Sequence, residues 1–449
     1  MEKIKPRTLS GFMELLPPEQ VYFDTMTRRL QDTFSLYGFT PLDMPLMEAA
    51  EILLAKGGGE TEKQIYTLRK GDSDLALRYE LTTSLAKYVA LQYNSLTFPL
   101  RRYEIGKVYR GERAQRGRFR EFYQADIDII GDGHLDILSE AEMPGVMYRC
   151  LTTLGLKRFI ICINNRKMLS GFFKIMDVGD AETDVMRVVD KLAKIGAENL
   201  TKTLIEVIGL PHTKAIEIVD FVTDPADPFD VMEKYRGKNE MFDLGMDELA
   251  LLQKHLAGFG VPETHYKIDL SIVRGLDYYT GTIYETYLTD YLEIGSVGGG
   301  GRYDNLAECF TNRNMPGVGI SIGLSRLFSI LQEQGLLNDA FLSAPADVLI
   351  IPMTDDMSHA VELATSMREA GLRVQIYSES KKFKTKVSYA DKLHIPFVVF
   401  LGEDEIAKGQ ITVKDMMSGS QTTASAGILT EGIRKKITAL RDGTPIKEK

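Results

Sequence analysis

A chain of 449 residues exceeds the usual single-domain limit, so two or three domains are expected, and 44% hydrophobic with 26% charged residues excludes a disordered or fibrous protein. The formal net charge of −9 excludes a uniformly basic surface of the kind that coats nucleic acid, and the absence of an eighteen-residue apolar run excludes a membrane-spanning helix. Three scattered cysteines without a C-x-x-C spacing and six histidines without paired spacing leave no disulfide framework and no metal site to expect.

In chain order, the residues from Met1 to Pro6 run into mixed polar sequence with no apolar signal region, and a cytoplasmic location is the expectation. Apolar positions at helical spacing (Val21, Phe23, Met26, Leu30, Phe34, Leu36) predict a helix over 19–37, stopped at Gly38. From 97 to 131 the period changes to two, which predicts two antiparallel strands joined by a long basic loop. Eight basic residues between 101 and 120 face only Glu104 and Glu112, so a polyanion should be drawn there despite the global charge. Residues 169–258 carry helical patterns broken at 209–211 and 224–228 and read as a helical insertion. Strand signals return at 266–273 and 282–288, and glycines 298–301 lead toward a helix beginning near Gly323. After a break at 342–347, a strand at 348–352, a helix (359–370), a strand (372–377), a helix (383–393) and a strand (396–401) predict a small α/β domain with a largely parallel sheet.

Three segments carry chemistry. In the basic loop, Arg110, Arg118 and Arg120 alternate with Phe119, Phe122 and Tyr123. Guanidinium forks match phosphate oxygens and an aromatic face stacks on a base, which suits a nucleotide, although a solvated basic hairpin has the same composition. At 271–281 an apolar run delivers Arg274, Tyr278 and Tyr279 between glycines. A buried arginine there needs an anion, either a substrate carboxylate or phosphate or a structural aspartate within the segment. The run Gly298–Gly301, followed by Arg302, Tyr303 and Asp304, looks like a phosphate cradle but lacks the P-loop and Rossmann patterns. It reads equally as a turn or as a place where a ligand or another backbone comes close.

The order of these segments is informative. Arg-Tyr-Glu-Leu-Thr at 78–82, the basic hairpin at 102–131, Arg-Gly-Leu-Asp-Tyr-Tyr-Thr-Gly at 274–281, Gly-Gly-Gly-Arg-Tyr-Asp at 299–304 and the stretch 319–327 together resemble the class II histidyl-tRNA synthetases, over nearly the whole length. Segments 389–396 and 402–405 are similar to that family's anticodon-binding domain. The resemblance implies an α/β (α+β) fold: an antiparallel class II sheet flanked by helices (1–168 with 259–330), a helical insertion (169–258) and a C-terminal α/β anticodon-binding domain (346–449). It implies a ligase that activates histidine with ATP and magnesium and transfers it to tRNA(His), and a homodimer formed through 37–47.

Residue by residue, the resemblance gives Arg110 to the α-phosphate, Glu112 to the adenine amino group, Phe122 to the base, and Arg118 and Arg326 to the γ-phosphate side. Arg274 lies beside both the histidine carboxylate and the α-phosphate and, with Arg110, is the catalytic expectation. Glu80, Thr82 and Gln124 fall to the α-ammonium, Asp128 and Tyr279 with Tyr303 to the imidazole, and Tyr278 to the same substrate, while Gln115 and Arg116 would meet tRNA. Two positions depart from the family pattern: Ser325 stands where many class II enzymes carry Glu, and Asp128 where some relatives carry Glu. The alternative is a non-catalytic histidine-binding regulatory subunit of ATP phosphoribosyltransferase, a relative of the same fold.

Overall fold

The computed structural model describes residues 3–55, 62–223, 227–273, 278–337 and 343–441. Contacts divide the chain into one compact unit built on Thr27–Ile330 and a second built on Leu331–Lys449 that takes in Glu14–Met26. The predicted first helix spans Pro17–Leu36, and Gly38, at φ +73°, turns the chain out of it.

The strands of the first unit are β1 (Thr40–Pro41), β2 (Met47–Ala49), β3 (Thr67–Lys70), β4 (Ser73–Leu77), β5 (Leu100–Tyr109), β6 (Glu121–Ile130), β7 (Phe159–Asn165), β8 (Tyr266–Ile268), β9 (Thr282–Leu288), β10 (Gly298–Tyr303) and β11 (Gly317–Ile322). Eight of them form one sheet in the order β1-β5-β6-β11-β10-β9-β7-β8, and β2, β3 and β4 form a small separate one. Pairing in the large sheet is antiparallel except at its two edges, β1 with β5 and β7 with β8. The hairpin of β5 and β6 pairs continuously from Leu100 opposite Ile130 to Tyr109 opposite Glu121. Alternation along β6 sends Ala125, Ile127 and Ile129 to one face and Gln124, Asp126 and Asp128 to the other. The helix Ile137–Thr153 buries Ala141, Met143, Val146, Met147 and Leu151, and it meets the sheet where a methyl on Gly298 would stand 2.7 Å from Met147 Cε.

Two expectations are corrected here. The glycine run is not a turn but strand β10, hydrogen-bonded on both sides, and the close approach of another backbone, the other reading of these glycines, is present: a methyl at Gly300 would stand 2.1 Å from Gly319 O. The strand expected over 266–273 stops at Ile268, because Asp269 Oδ1 accepts hydrogen bonds from Ser271 N (3.1 Å) and Ser271 Oγ (2.5 Å) and bends the chain into a turn.

Between 166 and 256 the described residues form helices Arg166–Ile175, Glu182–Val189, Leu192–Glu206, His212–Thr223, Pro228–Glu233 and Glu240–Leu256. The break at 224–228 lies partly outside the described residues. The first and last of these helices cross at backbone contact: a methyl at Gly171 would stand 2.4 Å from Phe242 N, and one at Gly245 2.3 Å from Met168 N. Asn165 and Asn239 cap their N-termini by accepting from backbone amides.

The second unit holds β12 (Val348–Pro352), β13 (Val374–Ile376), β14 (Phe397–Leu401), β15 (Gln410–Asp415) and β16 (Gln421–Ser425) in the order β13-β12-β14-β15-β16. The first three are parallel and alternate with helices Ser358–Glu369 and Phe383–Lys392 as expected. Strand β12 is buried along its whole length, which is why it reads as an unbroken apolar run. The antiparallel pair β15 and β16 and the closing helix Ala426–Arg441 extend the α/β pattern beyond what the sequence predicted.

Candidate active site

Strand β6 supplies the floor of the site. Its polar face carries Gln124, Asp126 and Asp128, with Ser321 and Gly319 of β11 opposite the two aspartates and Glu104 and Arg102 of β5 opposite them on the other side. Above this floor lie two adjoining cavities. The inner one, about 40 Å³, is lined by Glu80, Thr82, Gln124, Asp128, Tyr278, Tyr279 and Tyr303, together with Arg110, Asp126 and Ser321. The outer one, about 230 Å³, is lined by Arg110, Glu112, Arg118, Phe122 and Arg326, together with Phe119, Gln124 and Ser321. Arg110, Gln124 and Ser321 belong to both, so ligands in the two cavities would touch across these residues. Gln115 and Arg116 line neither cavity and sit exposed on the turn that Gln115 closes by backbone bonds to Arg118. Arg274 lies outside the described residues.

The inner cavity is acidic and built on buried ion pairs. Arg102, 1% exposed, reaches Asp128 Oδ2 at 2.8 Å and Glu104 Oε2 at 3.5 Å, and Arg78 meets Glu104 Oε1 at 2.6 Å. The Tyr303 hydroxyl donates to Asp128 Oδ1 at 2.6 Å. Glu80 accepts from the amides of Thr82 (2.5 Å) and Thr83 (2.6 Å), so its carboxylate sits on the positive end of the helix Thr82–Gln92. Gln124 Nε2 donates to Ser321 Oγ at 2.6 Å, whereas Gln124 Oε1 and Asp126 Oδ1 are buried and meet no donor among the described residues. Burial, with Asp128 and Glu80 close by, pushes the Asp126 carboxyl up to about 8 against the opposing pull of Arg102. Burial also raises Asp128 and the phenols of Tyr278, Tyr279 and Tyr303, so the tyrosines stay protonated and can donate. Two glycines make the walls possible: a methyl at Gly319 would stand 2.1 Å from Asp128 Oδ1, and one at Gly301 2.9 Å from the Tyr279 ring.

The outer cavity is cationic. Arg326 Nε donates to Gly117 O at 2.8 Å and Nη1 to Ser296 O at 2.5 Å. Gly117, at φ +67°, shapes the turn that reaches it. These carbonyls supply the support for Arg326, while Ser325 Oγ accepts from Tyr123 N at 2.8 Å and ties the helix Leu324–Glu333 to β6. Arg110 donates from Nε to Tyr79 O at 3.1 Å and lies 5.2 Å from the centre of the Phe122 ring. Arg118 meets Glu112 at 3.2 Å. Burial, then Arg118 and Arg110, weaken the hold of Arg326 on its proton, with Glu112 only partly offsetting them. Three guanidinium groups against one carboxylate among the described lining residues leave an excess of positive charge that a bound polyanion would relieve.

Sequence reasoning missed Asp126, Ser321 and Arg102 as site residues. The signal for Asp126 was present, since Gln124, Asp126 and Asp128 share one face of a period-two strand.

A family model described as histidyl-tRNA synthetase matches residues 11–327, and one described as anticodon binding domain matches 347–436. A histidine–tRNA ligase of Clostridium tetani is 48% identical over 425 residues, covering 94% of this chain and 96% of that protein. One of Finegoldia magna is 42% identical over 421 residues, covering 93% and 97%. The crystal structure of histidyl-tRNA synthetase from Nostoc sp. PCC 7120 shares 36% sequence identity, covers 97% of this chain and 100% of that one, and superposes with a TM-score of 0.87.

Proposed function

The chain belongs to the histidyl-tRNA synthetase family, and on that premise we propose how its two joined cavities carry out histidine activation. It is an aminoacyl-tRNA ligase that uses ATP, with histidine and tRNA(His) as substrates. The inner cavity takes histidine and the outer one ATP. The observation that carries this reading is the sharing of Arg110, Gln124 and Ser321 between an acidic, phenol-lined pocket and a cleft with three arginines. A carboxylate held in the first would then lie next to an α-phosphate held in the second, and holding two reactants side by side turns a bimolecular attack into an effectively intramolecular one.

In the first step a histidine carboxylate oxygen attacks the α-phosphorus, the bond to the bridging oxygen breaks, and pyrophosphate leaves. In the second, a terminal tRNA hydroxyl attacks the activated carbonyl and AMP departs. Arg110 holds the α-phosphate and meets the charge that grows on it, while Arg118 and Arg326 hold the departing phosphates. Phe122 stacks on adenine and Glu112 accepts from its amino group. Glu80, Thr82 and Gln124 bind the α-ammonium. Asp128, Tyr279 and Tyr303 recognise the ring nitrogens, with Tyr278 packed beside them, a set of bonds that disfavours ligands unable to make them. Arg274 is assigned by family resemblance to the carboxylate and α-phosphate together. Glu112 already sits 3.2 Å from Arg118, which fits a magnesium ion held chiefly by the phosphates rather than in a protein cage.

The exposed Gln115 and Arg116 are assigned to the tRNA acceptor end. We assign catalysis to 1–168 with 259–330, a clamp on the tRNA stem to the helices of 169–258, and anticodon recognition to 346–449. Residues 37–47 form the interface of a homodimer. A cytoplasmic location accords with the described helices, none of which is long and apolar enough to cross a membrane. The regulatory alternative is disfavoured by the retained Arg110 and Arg326 and by the match of 347–436 to an anticodon-binding domain.

Exchange of labelled pyrophosphate into ATP tests the reading. Exchange is expected with histidine and not with the other amino acids. A preference for another amino acid, or a folded protein that binds histidine yet exchanges nothing, overturns it.

A further inference from the structure

The inner cavity contains an acid that the roles above leave unused. Asp128 is committed, with the Tyr303 hydroxyl on one oxygen and Arg102 on the other. Asp126 lines the same cavity, is 4% exposed, and its Oδ1 meets no donor among the described residues. A buried carboxyl oxygen without a partner is costly, so on a cavity wall it calls for a polar group that arrives with a ligand.

The neighbours of Asp126 say which donor. Ser321 stands opposite Asp126 in the β6–β11 ladder and turns its hydroxyl toward that carboxyl, while also accepting from Gln124 Nε2. Gln124 Oε1 is therefore left as a second unpartnered acceptor beside the first. Two such acceptors gathered around one serine match a group that presents several N–H bonds from one atom. A primary ammonium does so, whereas each imidazole nitrogen offers a single N–H, and the two point apart.

We infer that Asp126 is a substrate-binding residue that takes an N–H of the amino acid's α-ammonium on Oδ1, with Gln124 Oε1 taking another. The inference rests on the reading of this cavity as the histidine site.

A proton follows from the charges around it. Asp126 faces Asp128 on its own strand, Arg102 and Glu104 on β5, Ser321 on β11, Glu80 before the helix Thr82–Gln92, and the Tyr279 ring. Arg102 is already shared between Asp128 and Glu104, and burial keeps the Asp126 carboxyl protonated up to about 8 in the free pocket. An ammonium supplies the missing counter-charge, so Asp126 ionises as histidine binds and its proton leaves to solvent. Because the free site binds that proton and the complex does not, affinity rises with pH up to about 8.

The test is titration calorimetry of the full chain near neutral pH in buffers of different ionisation heat, using histidine and imidazole-propionate. The second ligand keeps the ring and carboxylate but lacks the ammonium. The wild type is expected to release close to one proton more with histidine than with imidazole-propionate. D126N is expected to bind histidine about tenfold to a hundredfold more weakly, to lose that proton difference, and to bind imidazole-propionate as before. Equal weakening of both ligands, unchanged histidine affinity, or equal proton release with both overturns the inference. Should D126N fail to fold, the wild-type proton count decides alone. Failure of the underlying reading looks different: the wild type would not bind histidine at all.

Discussion

Arg110→Ala is expected to slow adenylate formation by about two to three orders of magnitude, while the protein folds and binds histidine much as before. Arg110 stands where the two cavities meet, its Nε spent on Tyr79 O and its guanidinium face over Phe122, so among the described residues its remaining N–H bonds are left to point at the ligand. In the proposed reaction charge builds on the α-phosphate oxygens as the carboxylate approaches. A donor fixed beforehand at that place lowers the barrier without reorganising, and its loss falls on the rate constant. Single-turnover kinetics separates the outcomes: a fall in the chemical step at unchanged histidine affinity supports the assignment, and a rise in the Michaelis constant for ATP at unchanged turnover reduces Arg110 to ordinary ground-state binding. Arg110→Lys should recover only part of the loss, because an ammonium cannot reproduce the planar fork.

The second large effect is on stability. Arg102→Met is expected to cost about 3–5 kcal/mol, because it leaves Asp128 and Glu104 buried without the cation they share. The pH dependence has a definite sign. Burial already raises Asp126, Asp128 and Glu104 above the ordinary carboxylate range, so the folded state binds more protons than the unfolded one and stability falls as pH rises through that window, up to about 8 for Asp126. Without Arg102 its pull on all three is gone and only Arg78 still faces Glu104, so the window widens and the variant's deficit should be larger at pH 8 than at pH 6. Denaturant midpoints at the two pH values measure it; a deficit that is small or independent of pH would mean that Arg102 is not the shared counter-ion.

Arg102 also shows what composition hides. In the sequence it is one of eight basic residues within twenty and looks like part of a solvated stripe. Its burial follows from register alone, since β5 sets it directly opposite Asp128 in a fully paired hairpin. The elements with a strong local period were legible: the first helix, the β5–β6 hairpin, and the three parallel strands with their two helices in the second unit. Strand β10 was not, because four glycines have no side-chain pattern to read, and their reasons lie on other elements: Met147 at Gly298, the backbone of β11 at Gly300, and the backbone of β9 with the Tyr279 ring at Gly301. The short β8 was overread because apolar content outweighed the turn that Asp269 and Ser271 make by side-chain bonding. In the site, the residues assigned by resemblance to ATP and histidine line two joined cavities, except for Arg274, which lies outside the described residues. Asp126 shares the face of Gln124 and Asp128, but what sets it apart is not local: its neighbour Ser321 comes from β11, nearly two hundred residues away, and Asp126 Oδ1 meets no donor among the described residues of the folded site.

The most direct measurement is a crystal structure with a non-hydrolysable histidyl-adenylate analogue. The linking group is expected beside Arg110 at the junction of the cavities. The imidazole would reach Asp128 and Tyr279, the ammonium would lie among Glu80, Gln124 and Asp126, and the adenine would rest against Phe122. An analogue bound with its ring in the outer cleft, or with its linkage away from Arg110, would contradict it.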